Sequence, residues 1–375
     1  MFRIVIAPDK FKGSLDSFAL CRIIEKGLRS ASTAFDIIPL PLADGGDGLL
    51  DIIAHYTGGG MREMRVKGPL FKPVMAQWLL SADGRTAYVE MARASGLHLL
   101  EPSEYDCIHS STYGTGELIA EAIRCGVSEV VIGIGGSATN DGGMGMAAAL
   151  GYRFLDKAGK ELSPIGGNLG LVEKIEVPPR WGDIKFRVAC DVSNPLYGST
   201  GATRVYAAQK GADPRMIEQL EAGMQHYAII LKRELGLDIA DREGAGAAGG
   251  LGAGCLAFLH AEMVSGARLA IEYSKAEQQI READLVITGE GRMDRQTPEG
   301  KLIAGIAALG RQYQKPVLAI CGTLDLPPAE WREMGVTAAF SIINKPMTLE
   351  TAQAEAEPLL EEAAHCIGAL LVARP

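Results

Sequence analysis

Arg3-Ile-Val-Ile-Ala7 is a β-branched run that Pro8-Asp9 stops, and Ser14 to Ser30 after it carries apolar residues at helical spacing. Strand, loop and helix in that order open an α/β fold. Similar units recur at Glu129-Val-Val-Ile-Gly-Ile134 before a Gly-rich turn, at Leu285-Val-Ile-Thr288 before Gly289, and at Pro316-Val-Leu-Ala-Ile-Cys321 before Gly322. A mainly parallel sheet is the economical reading.

The middle of the chain reads differently. Val74 to Leu80 and Arg85 to Met91 are neighbouring strand patterns around the turn Ala82-Asp83-Gly84, which predicts an antiparallel hairpin rather than a crossover. At 375 residues the chain exceeds the size at which one core keeps growing. The expected fold class is therefore α/β with two domains: a Rossmann-like or flavodoxin-like parallel-sheet domain from residues 1–65 and 270–375, and an inserted α/β domain from 66–269. An active-site cleft between the two is the corresponding expectation.

Composition excludes several function classes. Hydrophobic residues are 47% and charged residues 22% of the chain, the balance of a globular protein. A net charge of −9 argues against a nucleic-acid partner, which needs clustered Lys and Arg, though a few local cations can still hold a small anion. The seven Cys are scattered without a C-x-x-C pair, so neither a disulfide framework nor a zinc site is suggested. Met1 to Pro8 contains too short an apolar run for a signal peptide and no stretch is long enough to span a bilayer. A cytoplasmic location without a membrane partner is expected.

Chemistry-bearing residues gather after strands. Asp9-Lys10-Phe-Lys12-Gly13-Ser14 sets a carboxylate, two ammonium groups and a helix cap, Ser14 or Asp16, at the end of the first strand, where open sheets bind ligands; a solvated charged loop is the alternative. Ala43-Asp44-Gly45-Gly46-Asp47-Gly48 places two acids among glycines, as a Mg²⁺ or anion site would, or as a turn with a helix cap would. Ile132-Gly-Ile-Gly135-Gly136-Ser137-Ala138-Thr139-Asn140-Asp141-Gly142-Gly143 runs from a strand into a loop that suits phosphate, its amides and the next helix N-terminus facing an anion. The rival there is a dinucleotide fingerprint, Gly133-Ile-Gly135-Gly-Ser-Ala138 with Asp156 as the ribose acid, and hence an NAD-dependent dehydrogenase.

Asp191, ending Phe186-Arg-Val-Ala-Cys190, is placed to accept a proton or hold Mg²⁺, with an Asx turn as the alternative. Gln209-Lys210-Gly211 offers a cation. Gly244-Ala-Gly-Ala-Ala-Gly249-Gly250-Leu-Gly252-Ala-Gly254 is read as a second ligand-approach loop in preference to tight packing of small residues. Ile287-Thr288-Gly289-Glu290-Gly291-Arg292-Met-Asp294-Arg-Gln296, with Lys301 beyond, mixes acids, cations and an amide as phosphoryl transfer requires. The chain has no G-x-x-x-x-G-K-[ST] loop, no H-R-D with D-F-G, no H-E-x-x-H and no G-x-S-x-G elbow.

Taken in order, Ala7-Pro8-Asp9, Lys12-Gly-Ser14, Ala43-Asp44-Gly-Gly46, Ser111-Thr-Tyr-Gly114-Thr-Gly-Glu117, Gly133 to Gly143, Ala189-Cys-Asp191-Val, Asn194-Pro, Gly244 to Gly250 and Ile287 to Arg292 closely resemble the type I glycerate kinases, nearly end to end. The resemblance implies transfer of the ATP γ-phosphoryl group to D-glycerate with Mg²⁺, and the bacterial enzymes it points to favour 2-phosphoglycerate over the 3-phosphate. A non-catalytic sensor of such a metabolite is the alternative from another class, and the resemblance leaves monomer and homodimer both open.

Under it, Asp191, Lys12, Arg292 and Asp294 are the catalytic candidates, with Asp191 or Asp294 the base. Gly135, Gly136, Ser137, Thr139, Asn140, Gly142 and Gly143 would hold the nucleotide. Asp9, Gln209 and Lys210 would meet the substrate, and Asp44, Asp191 and Glu290 the metal. The chain departs from the family's pattern at Lys10, where Ser is frequent, at Asp47, where Glu is frequent, and at Tyr206-Ala-Ala-Gln209-Lys210-Gly, where Phe-Gly-Pro-Gln-Lys-Gly is usual.

Overall fold

The computed structural model of the chain describes residues 1–44, 48–179, 181–295, 297 and 302–373. Its backbone packs as two compact units, Met1–Asp44 with Ala267–Pro375, and Gly45–Gly266.

The first unit is built on a parallel sheet of β1 (Phe2–Ile6), β2 (Phe35–Pro39), β11 (Leu285–Thr288), β13 (Val317–Cys321) and β15 (Ala338–Ser341), in the order β15-β13-β11-β1-β2. Counted within this unit the order is 2-1-3-4-5, the flavodoxin arrangement. Its topological switch point, from which ligand-binding loops diverge, lies between β1 and β11. A short pair, β12 (Arg292–Met293) with β14 (Thr323–Leu324), extends beyond the sheet. Helices α1 (Ser17–Ala31), α10 (Ala276–Glu282), α11 (Leu302–Gln312), α12 (Pro328–Met334), α13 (Leu349–Ala354) and α14 (Ala356–Val372) complete the unit, together with nearly all of α9 (Gly266–Ser274). Asp16, not Ser14, caps α1, its carboxylate accepting the Ala19 N–H at 2.7 Å. Leu20, Ile24 and Leu28 then fall on one buried face, packed with Leu360, Ala364 and Ile367 of α14.

The second unit carries a mixed sheet ordered β10-β9-β6-β5-β4-β3, from β3 (Gly60–Lys67), β4 (Pro73–Leu80), β5 (Thr86–Glu90), β6 (Glu129–Gly133), β9 (Lys185–Ala189) and β10 (Glu262–Val264). The hairpin expected around Asp83-Gly84 is there, Leu79 facing Tyr88 and Leu80 facing Ala87, while β5, β6, β9 and β10 run parallel. A separate ribbon pairs β7 (Arg153–Leu155) with β8 (Lys174–Glu176). Helices α2 (Leu49–Thr57), α3 (Ala92–Ser95), α4 (Tyr113–Arg124), α5 (Met144–Ala149), α6 (Ala202–Tyr206), α7 (Pro214–Leu235) and α8 (Ala247–Phe258) belong to this unit. Trp78, Phe154, Tyr227 and Phe258 are its largest buried apolar side chains.

Residues 48–65, assigned to the first domain from sequence, lie in the second unit. The reason is the apolar face of α2: Leu49, Leu50, Ile52 and Ile53 are buried, and the helix packs on β4 and β5. Among the described residues no helix is long and apolar enough to cross a membrane.

Candidate active site

In the first unit, the loops after β1 and β11 meet at the switch point. The Asp9 N–H donates to the Gly289 carbonyl at 2.8 Å, which brings the end of one loop onto the start of the other. Gly289 has to be glycine, because a Cβ there would stand 2.1 Å from the Ile320 carbonyl of β13. Beyond β2, Leu40 and Leu42 donate to Ile6 and Pro8 and carry the chain alongside towards Asp44.

Three carboxyl groups result from this placement. Asp9 is 6% exposed and takes the Lys10 N–H at 2.8 Å. Burial first, then the negative charge of Asp44 and, less strongly, of Glu290, pushes its carboxyl up to about 7. Glu290 is also buried, and its Oε1 accepts the Thr297 hydroxyl at 2.6 Å. Thr297, which the sequence did not single out, ties this corner together: its hydroxyl oxygen accepts the Asp294 N–H at 3.0 Å, while its own N–H returns to the Asp294 carbonyl.

Arg292 is turned outward, 67% exposed, and its Nε lies 2.5 Å from Asp325 and 3.9 Å from Asp294. Its charge is engaged by Asp325, a second residue the sequence did not reveal. Lys12 is exposed in a tight turn closed by the Phe11 and Leu15 backbones, with Gly13 in the left-handed region at φ 82°. Gly45, Gly46, Asp47, Gln296 and Lys301 lie outside the described residues.

Among the described residues no three His, Cys, Asp or Glu side chains are close enough to form a metal cage. Asp191 lies at the end of β9 in the other unit, so within either unit the expected trio Asp44, Asp191 and Glu290 does not come together. What the first unit offers instead is Asp9, with Asp44 and, less strongly, Glu290 near enough for their charges to raise its carboxyl. Mg²⁺ asks for one or two carboxylates and keeps several waters, and hard oxygen donors already repelling one another fit that demand.

In the second unit, the C-terminal edge of the parallel strands carries Glu90 at the end of β5, the Gly135 loop after β6 and Asp191 after β9. Gly135 and Gly136 are exposed and Ser137 is half-buried, whereas Thr139 through Gly143 are buried. The expected phosphate cradle therefore narrows to Gly135, Gly136 and Ser137. The amides of Gly142 and Gly143 are already bonded, to the Gly249 carbonyl at 3.0 Å and to Asp141 Oδ1 at 3.1 Å.

The helix dipole is occupied too. Asp141 is wholly buried at the start of α5, and its Oδ2 accepts from the Thr112 N–H, the Thr112 hydroxyl and the Gly145 N–H at 2.7, 2.8 and 3.1 Å. An incoming anion would find a carboxylate already there, which corrects the expectation of phosphate at this helix N-terminus. Burial raises the Asp141 carboxyl while these donors pull it down. Replacing Asp141 with Ala leaves four donors without their acceptor, and we expect urea denaturation to read a loss of about 3 kcal/mol or more.

The same geometry removes the dinucleotide reading. A fingerprint helix would already be winding at Ala138, yet α5 begins at Met144, and Asp156 sits in a turn accepting the Ala158 and Lys160 N–H groups at 2.9 Å. The second glycine stretch is a packing element, not a ligand loop: Gly249, Gly250, Gly252 and Gly254 are buried, and a Cβ on Gly252 would meet the Gly244 carbonyl at 2.0 Å.

Lys210 is 1% exposed and its Nζ donates to Ser137 Oγ and to the Thr139 carbonyl, each at 2.7 Å. It does not face a substrate directly, as the sequence suggested; Gln209 beside it is exposed. Asn140 Nδ2 donates to Thr203 Oγ1 at 3.1 Å. Asp191 is exposed, its Oδ1 taking the Gly266 N–H at 2.9 Å at the start of α9. Tyr206, where the family resemblance leads one to expect Phe, donates its hydroxyl to Asn194 Oδ1 at 2.6 Å, a bond that Phe cannot make. Glu90, another residue not singled out, accepts the Leu50 N–H at 2.9 Å and so caps α2, with Arg93 at 3.2 Å on its other oxygen.

The model of the glycerate kinase family matches residues 4–372. The chain belongs to the glycerate kinase family. It is 44% identical to the glycerate kinase of Halalkalibacterium halodurans, covering 98% of this chain and 97% of that one. To the glycerate 2-kinase of Escherichia coli it is 43% identical over 93% of each chain. A crystal structure of a putative glycerate kinase 2 from Salmonella typhimurium LT2 superposes with a TM-score of 0.87 at 41% identity, covering 99% of this chain and 98% of the other. The α/β architecture with its parallel sheets is thus a glycerate kinase fold.

Proposed function

We propose that the chain transfers the γ-phosphoryl group of ATP to D-glycerate, giving 2-phospho-D-glycerate and ADP. The relatives named as glycerate kinases and the E. coli glycerate 2-kinase support the substrate and the position. The observation that carries the chemistry is the buried Asp9 carboxyl at the switch point between β1 and β11, raised by the charges of Asp44 and Glu290.

Phosphoryl transfer leaves a protein little covalent work, so positioning and charge supply most of the rate. Asp44 and Glu290 would hold Mg²⁺, which when bound offsets the charge of the transferring phosphate. Asp9 is the base in this reading: buried, close to neutrality in its titration, it takes the proton from the attacking glycerate hydroxyl as the new P–O bond forms and ADP departs. Asp294 and Asp191 yield that role, the first because it stands beside Arg292, the second because it is exposed and holds the Gly266 N–H. Lys12 is an exposed cation that suits phosphate in the first unit, and within the second unit the exposed Gly135 to Ser137 backbone is the candidate phosphate cradle. The enzyme works on small molecules in the cytoplasm.

The test is ADP formation by the purified protein with D-glycerate, ATP and Mg²⁺, with phosphorus NMR of the product. Glycerate-dependent ADP and a 2-phosphate ester are expected. A 3-phosphate ester would move the site of transfer, and ligand-induced thermal stabilisation without ADP would make the protein a sensor.

A further inference from the structure

A lysine buried this completely almost always has a carboxylate partner. Lys210 instead spends its ammonium on the β6–α5 loop, bonding one hydroxyl and one carbonyl of that loop. Its own backbone is fixed on both sides: the Lys210 N–H donates to the Ala207 carbonyl, and three residues on Asp213 caps the long helix α7 by accepting the Met216 N–H at 2.8 Å. The rest of the loop is tied by Leu97 N–H to the Gly136 carbonyl, by Ala138 N–H to the Ser95 carbonyl and by the Ser110 hydroxyl to the Ala138 carbonyl, so among its described side-chain bonds Lys210 is the one that reaches Ser137 Oγ. Ser137 thus lies between a buried cation beneath it and the exposed Gly135-Gly136 backbone beside it.

We propose that Lys210 is a positioning residue that acts through Ser137, holding the Gly135 to Ser137 segment in the shape that receives a nucleotide phosphate and placing a positive charge beneath it. This deepens, and rests on, the ATP-dependent reading above. A bare structural lysine would be a poor choice here, because burial works against its charged form and pushes its titration down to about 8. Two titratable groups act on it: Cys107, whose thiol burial lifts to about 11, and Asp141 in the loop before α5, and both favour the ammonium.

The experiment compares wild type with Lys210→Met, Lys210→Arg and Ser137→Ala, measuring kcat and KM for each substrate from pH 6.5 to 9.5, together with thermal melts. Lys210→Met should raise KM for ATP about tenfold to a hundredfold, the range of one lost charged hydrogen-bond pair, and leave KM for glycerate within about twofold. Ser137→Ala should move KM for ATP in the same direction. Wild-type kcat/KM for ATP should fall as pH rises past about 8, where the ammonium loses its proton, and Lys210→Met should lack that limb. Lys210→Arg keeps its charge across this range and should also lack the limb.

The melt separates this from a scaffolding role. A methionine needs no ion taken out of water but leaves the Thr139 carbonyl without its donor, so the two effects oppose and Lys210→Met should unfold near the wild-type temperature. A lowered melting temperature with both KM values changed alike would make Lys210 structural and overturn the proposal, as would an unchanged KM for ATP. A change confined to KM for glycerate would assign the loop to the substrate carboxylate and overturn the phosphate assignment. If wild type makes no ADP, the kinase reading fails by itself. Calorimetric titration with ATP alone then reads Lys210→Met against wild type, equal affinity overturning the inference and weakened affinity upholding it.

Discussion

Asp9→Asn should give a protein that melts higher than wild type at pH 8 and turns over about a hundredfold more slowly, or worse. The two effects share one cause. Asp9 is held at about 7 by burial and by Asp44 and Glu290, against an ordinary aspartate near 4. Between those values the folded state keeps a proton that the unfolded chain has released. Stability therefore declines as pH rises from about 4 to about 7, and the whole penalty stands above pH 7. Three pH units of displacement correspond to about 4 kcal/mol at most, which asparagine, neutral throughout, avoids. The same substitution removes the proton acceptor, and general-base losses run about 10² to 10⁴.

Urea denaturation of both proteins at pH 5 and pH 8 reads the first effect, and steady-state turnover the second. Wild type should lose stability between the two pH values while Asp9→Asn stays level. Added Mg²⁺ should narrow the gap at pH 8, since a cation at Asp44 and Glu290 relieves the repulsion. Parallel Asp191→Asn and Asp294→Asn variants guard the assignment. Should either lose more turnover than Asp9→Asn, the base is that residue.

The strand ends were legible in the chain because a β-branched run followed by an acid is a local pattern, and Asp9, Glu290 and Asp191 each stand beyond such a run. What those acids meet is not local. Thr297 sits seven positions from Glu290 and reads as an ordinary turn residue until the backbone folds it onto the carboxylate. Lys210 reads as a surface cation between Gln209 and Gly211, since burial is set by packing against a loop some seventy residues away. The misplaced boundary at residue 65 has the same origin. The end of α2 that follows the acid-glycine turn is capped by Glu90, forty positions on, and only the folded sheet assigns that helix to the second unit. Glycine-rich stretches were the most ambiguous, because close approach to a ligand and close approach to another backbone demand the same missing side chain.

Gly249→Ala resolves that ambiguity, because it adds a methyl where both the backbone conformation and the space oppose it. Gly249 lies at φ 66°, in the left-handed region that alanine enters at a cost of about 1 kcal/mol or more. Its added Cβ would stand 2.0 Å from the Thr139 carbonyl oxygen and 2.6 Å from Asn140 Cα. Both are backbone atoms of a buried loop, so no side chain can swing aside. The Thr139 carbonyl is also the acceptor of Lys210, and the Gly249 carbonyl accepts the Gly142 N–H, so relief of the clash breaks bonds on each side. We expect a loss on the order of 4 kcal/mol or more, read as a collapsed urea midpoint or a failure to accumulate soluble protein. Gly60→Ala is the matched control: its Cβ would meet nothing within 4 Å at the exposed start of β3, and its effect should stay within about 1 kcal/mol. A Gly249→Ala protein as stable as that control would mean the second glycine stretch is not held against the Thr139 loop, and the ligand-approach reading of Gly244 to Gly254 would return.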